Sequence, residues 1–299
     1  MQRRNHRRIM SRASIGAFAL GAGLLTLAGC DSMGQTVHEA RAMQVAHAAG
    51  SALSVTTANG SVLVERQQRA DVLIEIDLFG RDAERLAFAN VNASRQGDGS
   101  LRVWVDWPGG KRENNEGANI DIMLPDAIGL DIRTSNGRVS LKGLAGHAAV
   151  KTSNGSVRIL DHSGSAHVET SNGKMQLERV DGDITGSTSN GTVIITDAFG
   201  GVEADSSNGN VFVTTAHGNP GPVRVSSSNG RVELALGDGF EGILRVKTSN
   251  GRIRMSELGG ARLIESNKDT LELQVGTSDT ISAVRTSNGS VEIGGRGQD

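Results

Sequence analysis

The side chains best suited to chemistry are four carboxylates that recur near one turn of a repeating unit. They are Asp161, Asp181, Asp183 and Asp197. Stacked units would bring them within about 5–10 Å of one another, and paired carboxylates perform acid–base work on polysaccharides. No column of Lys or Arg is evident beside them to hold an anionic sugar, and a solvated acidic turn explains the same residues. A polysaccharide-acting β-helix enzyme is therefore the alternative hypothesis.

The second reactive side chain is the single cysteine, Cys30. The first twelve residues carry five arginines and no acid, and residues 13–29 are apolar or small and uncharged. This order is typical of a secretory signal. The run ends in Leu-Ala-Gly-Cys, which resembles the lipobox of bacterial lipoprotein precursors. The resemblance implies a signal peptide over 1–29, cleavage before Cys30 and a diacylglycerol on its sulfur. An ordinary signal peptide that ends beside a cysteine is the competing interpretation.

The charge of the remaining chain limits its partners. Residues 1–29 hold five of the 31 Lys and Arg and none of the 33 Asp and Glu, so the mature chain carries 26 positive and 33 negative charges, or −7. This argues against nucleic acid and against a polybasic hold on lipid. Membrane attachment would come from acylated Cys30. Asp31 resembles an inner-membrane retention signal of enteric-type bacteria. We expect a membrane-anchored envelope lipoprotein that faces the periplasm or the exterior.

A four-residue phrase, Thr-Ser-Asn-Gly or Ser-Ser-Asn-Gly, recurs through the second half of the chain. Its asparagines are Asn136, Asn154, Asn172, Asn190, Asn208, Asn229, Asn250 and Asn288. Its glycines are Gly137, Gly155, Gly173, Gly191, Gly209, Gly230, Gly251 and Gly289. The first five asparagines are 18 residues apart, and the next two follow at spacings of 21. A fixed period of this length indicates a stacked-repeat architecture.

Each repeat predicts two strands and two turns. Apolar residues stand three and five positions after the asparagine, as at Val157 and Ile159, and a glycine followed by a second alternating stretch comes next. An antiparallel meander would use Asn-Gly as a type I′ hairpin turn. The recurrence of the whole phrase instead favours an all-β fold, a single-stranded parallel β-solenoid (β-helix-like) with about 18–21 residues per coil.

Stacking gives the phrase a structural role. Asn tolerates a left-handed backbone and Gly adopts one freely, so the pair is expected to form the corner of each coil. Coils about 4.8 Å apart would let each Asn amide donate to the next one, for about 1 kcal/mol each. The turns lack the regular aspartate of calcium-binding β-rolls, and the seven histidines show no metal-ligand spacing. We therefore expect no catalytic residues, no metal and no cofactor.

Residues 51–130 form an atypical stretch that is expected to be a β-rich cap over one end of a solenoid at 131–299, with residues 30–50 as a tether. The cap contains an irregular copy of the phrase at Asn59, a short helix capped by Asp82, and a hairpin that turns at 97–99.

The order of these features resembles a known family. A lipoprotein signal, a strand-rich start, an Ile-x-Ile-x-Leu-Pro strand at 120–125 and Thr-x-Asn-Gly-x-Val repeats follow one another. They resemble the bacterial β-strand-repeat family labelled putative adhesin, a domain of unknown function. The resemblance covers nearly all of the mature chain. It implies a single-stranded β-solenoid outside the cytoplasm and no enzyme activity.

Three apolar side chains are candidates for surface contacts. Ile194 and Phe212 fall in one outward column on successive coils. One of Trp104 and Trp107, which flank Asp106 on a cap strand, faces outward by alternation and could stack on a sugar, and Trp104 is the candidate. Scattered apolar surface and packing against the cap are the competing interpretations. We therefore expect a lipid-anchored envelope protein with a non-catalytic structural, adhesin-like or binding role, whose partner is an envelope protein or a glycan.

Overall fold

The protein is described over residues 36–297 by a computed structural model, and it is built almost entirely of β-strands. The N-terminal elements are β1 (Val37–Ala46), β2 (Leu53–Thr56), β3 (Val62–Arg66), β4 (Asp71–Gly80), α1 (Ala83–Phe88), β5 (Asn90–Arg95), β6 (Leu101–Asp106), a 3-10 turn (Pro108–Gly110) and β7 (Gly117–Leu124). The central strands are β8 (Ile128–Arg133), β9 (Val139–Lys142), β10 (Ala145–Lys151), β11 (Val157–His162), β12 (Ala166–Thr170), β13 (Met175–Val180), β14 (Ile184–Thr188), β15 (Val193–Ala198), β16 (Val202–Ser206), β17 (Val211–Thr215), β18 (Val223–Ser227) and β19 (Val232–Leu236). The C-terminal strands are β20 (Gly242–Thr248), β21 (Ile253–Met255), β22 (Ala261–Ser266), β23 (Thr270–Val275), β24 (Ile281–Thr286) and β25 (Val291–Gly295).

These strands form two large, mostly parallel sheets. Sheet A has the order β1-β4-β7-β3-β9-β11-β13-β15-β17-β19-β25-β21, and sheet B has the order β5-β6-β2-β8-β10-β12-β14-β16-β18-β24-β20-β23-β22. From β8 to β19 the chain alternates between the sheets, and each strand from β10 onward pairs in parallel with the strand two places earlier. Both sheets end in free edge strands, so neither closes on itself.

The register follows the sequence repeat. Val157 and Ile159 of β11 lie opposite Met175 and Leu177 of β13, and all four are buried. Alternate residues of each strand point inward, which is the period-two pattern of a half-buried strand. The inward rows of both sheets form one shared hydrophobic core, composed mainly of Val, Ile, Leu and Ala.

Two pairs of strands lie out of chain order in the stack. The coil β2–β3 lies between β6–β7 and β8–β9, and the last coil, β24–β25, lies between β18–β19 and β20–β21. At these two places the order of the stack therefore differs from the order of the chain. Asn288, in the last copy of the phrase along the chain, therefore does not lie at the end of the stack.

Antiparallel strands cover parts of both ends. Residues 37–46, inside the segment expected to be a tether, form β1 and pair along their whole length with β4. Pairing satisfies backbone groups that the edge of β4 would otherwise leave open. The boundary expected between residues 130 and 131 falls inside β8.

Two local predictions in the cap are confirmed. Helix α1 is capped by Asp82, whose carboxylate accepts from the backbone N–H groups of Glu84 and Arg85. The hairpin β5–β6 turns through residues 96–100. Within residues 36–297, no helix has the length and apolar character that a membrane span needs.

Candidate functional site

The asparagines of the phrase form one continuous column along the corner of the stack. In each step an Nδ2 donates to the Oδ1 of the neighbouring asparagine at 2.6–2.9 Å. In stack order the column is Asn59, Asn136, Asn154, Asn172, Asn190, Asn208, Asn229, Asn288 and Asn250. At one end, Asn59 Nδ2 donates to the carbonyls of Asn114 and Glu116. The repeated asparagines are exposed, so this is a surface ladder and not a buried one.

The Thr or Ser that opens the phrase links neighbouring coils from inside. Thr170 is buried, and its hydroxyl accepts from the N–H of Gly173 and donates to the carbonyl of Gly155 on the preceding coil. The backbone carbonyl of Ser153 accepts from both Ser171 and Asn172. The polar residues of the phrase thus hold the corner together by hydrogen bonds.

The glycine of the phrase is required by close approach, and the expectation that it supplies a left-handed turn is wrong. Neither Gly173 nor Asn172 has a positive φ. A Cβ at Gly173 would instead lie 1.7 Å from the carbonyl oxygen of Gly155, and every other glycine of the phrase faces a neighbouring glycine carbonyl at 1.7–1.9 Å. Only a residue without a side chain lets the corners stack at strand spacing.

The residues other than glycine that have a positive φ within residues 36–297 lie near the second turn, where the acidic candidates are. Asp161, Arg179 and Asp197 have φ of 54°, 54° and 55° and occupy equivalent places in successive coils. Arg179 Nε donates to Asp161 at 2.6 Å, and Arg296 pairs with Asp197. Single arginines therefore lie beside two of the acids, where the sequence had shown no column of basic residues.

The two remaining carboxylates of this set have separate partners. Asp183 accepts from the N–H of Gly201 at 2.8 Å, and Asp181 accepts from the Ser163 hydroxyl at 3.5 Å. Four acids held by four different donors serve turn geometry and ion pairing, and no hydrogen bond within residues 36–297 joins any two of them. Within residues 36–297, no three His, Cys, Asp or Glu side chains are arranged to hold a metal ion.

His162, next to Asp161, points into the core. It is 1% exposed, and its Nε2 donates to the carbonyl of Gly146 at 2.8 Å. Burial lowers the pKa of His162 because the charged imidazolium would lose its hydration. This histidine is therefore a packed neutral side chain.

Ile194 and Phe212 lie opposite each other on β15 and β17, on the outer face of sheet A. Both are half-buried. Their neighbours in the same column are Gln176 and Glu233, so the apolar patch consists of these two residues.

Trp104 lies in the most distinctive recess, a groove of about 540 Å³ on the outer face of sheet B. Its floor is one column of outward residues on adjacent strands. Trp104 of β6 lies opposite Thr56 of β2, Thr56 opposite Arg133 of β8, and Arg133 opposite Lys151 of β10. Trp107, just past the end of β6, completes the aromatic wall.

The groove is cationic. The Arg102 guanidinium lies 5.0 Å from the Trp104 ring centroid, which is cation–π geometry. Arg112 donates to the carbonyls of Glu113 and Glu116 from the groove wall.

Carboxylates hold the two cations on the groove floor. Arg133 pairs with Asp131 at 3.1 Å, and Lys151 pairs with Glu169 at 2.6 Å. The hydrogen bond from Lys151 lowers the pKa of Glu169, which keeps this pair charged. An aromatic face beside fixed cations and hydroxyl groups suits a sugar ring that carries an anionic substituent.

Trp104 is a candidate on sequence grounds, whereas the cations around it were not predicted. Arg133 and Lys151 each stand immediately before the phrase, and that position could have been traced as a column once coils were assumed to stack. Arg102 and Arg112 belong to the irregular cap, whose packing no repeat specifies. Cys30 lies outside the described residues.

Comparison with known proteins gives little further guidance. No family model and no curated protein sequence matches the chain. Solved structures that are similar to it include a putative adhesin from Bacteroides fragilis, at 12% identity over 89% of this chain and 100% of that one, with a TM-score of 0.36. A putative adhesin from Parabacteroides merdae is similar over 87% of this chain and 97% of its own, at 12% identity and a TM-score of 0.32. A putative lipid binding protein from Parabacteroides distasonis is similar over 86% of this chain and 96% of its own, at 10% identity and a TM-score of 0.24. At these values no structural or functional conclusion follows from them.

Proposed function

We propose that the chain is a lipid-anchored protein of the bacterial cell envelope, with a non-catalytic binding role carried by a β-solenoid. The solenoid interpretation is supported by the winding of β8 to β19 between two parallel sheets around one core. Cys30 would carry the anchor, and the rigid stack would present its outer faces to partners.

The observation that carries the binding role is the groove around Trp104. We infer that it takes a saccharide with carboxylate groups, because Trp104 and Trp107 supply apolar faces for the ring while Arg102, Arg133 and Lys151 supply charge. Hydroxyls of Thr56, Ser135 and Ser153 along the groove can bond the sugar hydroxyls. The two tryptophans are the only ones in the chain, so their fluorescence reports on this groove directly.

Titration of intrinsic fluorescence with uronate oligosaccharides and with neutral glucose oligosaccharides tests the proposal. We expect the acidic set to shift the emission and the neutral set to bind at least tenfold more weakly. Trp104→Ala should weaken binding by about tenfold, since an aromatic contact contributes about 0.5–1.5 kcal/mol. Phe212→Ala, which truncates an aromatic residue on sheet A, is the matched control and should bind as the wild type does.

The same experiment separates a binding protein from an enzyme. Release of new reducing ends from the oligosaccharides, abolished by Asp181→Ala, would replace the binding role with polysaccharide cleavage. No fluorescence response to any acidic oligosaccharide would contradict the groove assignment.

A further inference from the structure

The residue that stands immediately before each Thr-Ser-Asn-Gly or Ser-Ser-Asn-Gly phrase forms a second outward column, on sheet B. In stack order it runs Arg133, Lys151, Glu169, Ser187, Asp205, Ser226, Arg285 and Lys247. Cations thus occupy both ends, and acids occupy the middle. The end formed by Arg285 and Lys247 lies five strand spacings from Lys151, or about 24 Å. It is therefore separate from the groove around Trp104.

The two cationic ends differ in how their charges are balanced. Arg133 and Lys151 each contact a carboxylate. Arg285 and Lys247 are exposed and lie directly opposite each other on β24 and β20, and within residues 36–297 no carboxylate pairs with either of them. Like charges opposite each other on neighbouring strands destabilise a sheet.

Asp269, whose backbone carbonyl accepts from the N–H of Thr248 beside Lys247, makes no ion pair with either cation within residues 36–297, and two other carboxylates of this sheet have partners elsewhere. Asp205, two strands away, accepts from the hydroxyl of Ser226, which separates it from Arg285. Glu272 lies opposite Arg245 and pairs with it at 3.3 Å. The charge of the Arg285–Lys247 pair is therefore left to a counter-ion from outside.

A recess of about 280 Å³ lies between these cations and the corner of the stack. Ser228, Ser249 and Ser287 line it, and their side chains are exposed. The deeper hydroxyls of Ser227 and Thr286 are already bonded to glycine carbonyls. The recess thus offers two positive charges and several free hydroxyl groups over a small area.

We propose that this recess binds a phosphoryl group. A phosphate ester carries a charge of about −1.5 to −2 at pH 7 and three strong acceptor oxygens, which matches two cations flanked by hydroxyls. A carboxylate would neutralise only one of the two charges. The bridging anion would also remove the repulsion between Arg285 and Lys247. Phosphate binding should therefore stabilise the two coils that carry them, β24–β25 and β20–β21.

Phosphorus NMR titration of inorganic phosphate with the full-length protein in neutral detergent tests the site, at constant ionic strength set with chloride. We expect saturable broadening of the phosphate signal, and at least tenfold weaker binding in Lys247→Gln and in Arg285→Gln. Lys174→Gln, an equal change of charge at an exposed lysine on the sheet A side of the corner, is the control and should bind as the wild type does. Without phosphate, Lys247→Gln should melt at or above the wild-type temperature, because the repulsion is relieved.

The source of the phosphoryl group is resolved by two further probes. Glucose 1-phosphate represents soluble or glycan-linked esters, and mixed micelles with phosphatidic acid represent a lipid headgroup. Binding of either that depends on Lys247 supports the site and names the source. The proposal would be overturned if the wild type binds no phosphate. It would also be overturned if binding is equal in the wild type and in Lys247→Gln, Arg285→Gln and Lys174→Gln.

Discussion

Replacing Gly173 with Ala is the sharpest test of how the corners stack. The new Cβ would lie 1.7 Å from the carbonyl oxygen of Gly155, and Cβ atoms essentially never come within 3.0 Å of such an atom. To bring this contact from 1.7 Å to 3.0 Å, the two coils must separate by about 1.3 Å at this corner. Because the coils are held on both sides by parallel strands, the local hydrogen bonds must lengthen.

At least four hydrogen bonds join the two coils at this corner. Three fall within the phrase, from Ser171 N and Asn172 N to Ser153 O at 3.1 and 2.9 Å, and from Thr170 Oγ1 to Gly155 O at 3.2 Å. The fourth is the ladder bond of Asn172, at 2.7 Å. An added 1.3 Å takes each beyond hydrogen-bonding range. At about 1 kcal/mol per bond, the loss is about 4 kcal/mol.

Gly97→Ala is the matched control, because its Cβ would meet nothing within 4 Å and its φ is not positive. An unstrained Gly→Ala change stabilises by about 0.4–1 kcal/mol through the unfolded state. Urea denaturation followed by far-ultraviolet circular dichroism measures both variants against the wild type. A free energy of unfolding that changes equally and by less than about 1 kcal/mol in both would refute the close-approach explanation of the phrase.

Three further outcomes are expected. Asn172→Ala removes two ladder bonds and should cost about 1–2 kcal/mol of unfolding free energy, whereas Asn250→Ala removes one and should cost about half as much; equal losses in urea denaturation would contradict an ordered column. Burial lowers the pKa of His162, so below about pH 6.5 the unfolded chain binds a proton that the native state does not. Stability should therefore decline as the pH falls from 7 to 5, by up to about 1.4 kcal/mol per pH unit, and His162→Gln should have a shallower slope in urea midpoints measured against pH; identical slopes would exclude this histidine as the cause. Cys30→Ser should abolish incorporation of labelled palmitate and release the protein from membranes, and labelling that persists in the variant would contradict lipidation at that residue.

Much of the local structure could be predicted from the sequence because it depends on short-range patterns. Period-two alternation placed Val157 and Ile159 on an inward face, since successive side chains of a strand point to opposite sides. Asp82 before an amphipathic stretch fixed the start of α1, because its carboxylate can reach N–H groups two and three residues ahead. These relations involve neighbours in the chain, and the residue types alone determine them.

The tertiary structure decided whatever depends on which repeat lies beside which. Asn288 lies between Asn229 and Asn250 because the last coil is inserted into the stack, and the phrase that the repeats share does not specify that order. The glycine of the phrase looked like a turn residue, yet its requirement comes from the carbonyl of another coil. The pairing of Asp161 with Arg179 likewise joins residues on different coils.

The groove around Trp104 also depends partly on local sequence and partly on which strands are neighbours. Trp104 and Arg133 are 29 positions apart in the chain, and each is ordinary in its own segment. They share a surface because β2 is interposed between β6 and β8, which sets Trp104, Thr56 and Arg133 side by side. The sequence by itself determined which side chains face outward from each strand. Only the order of strands in the sheet, fixed by backbone pairing over long chain separations, determined which of them meet.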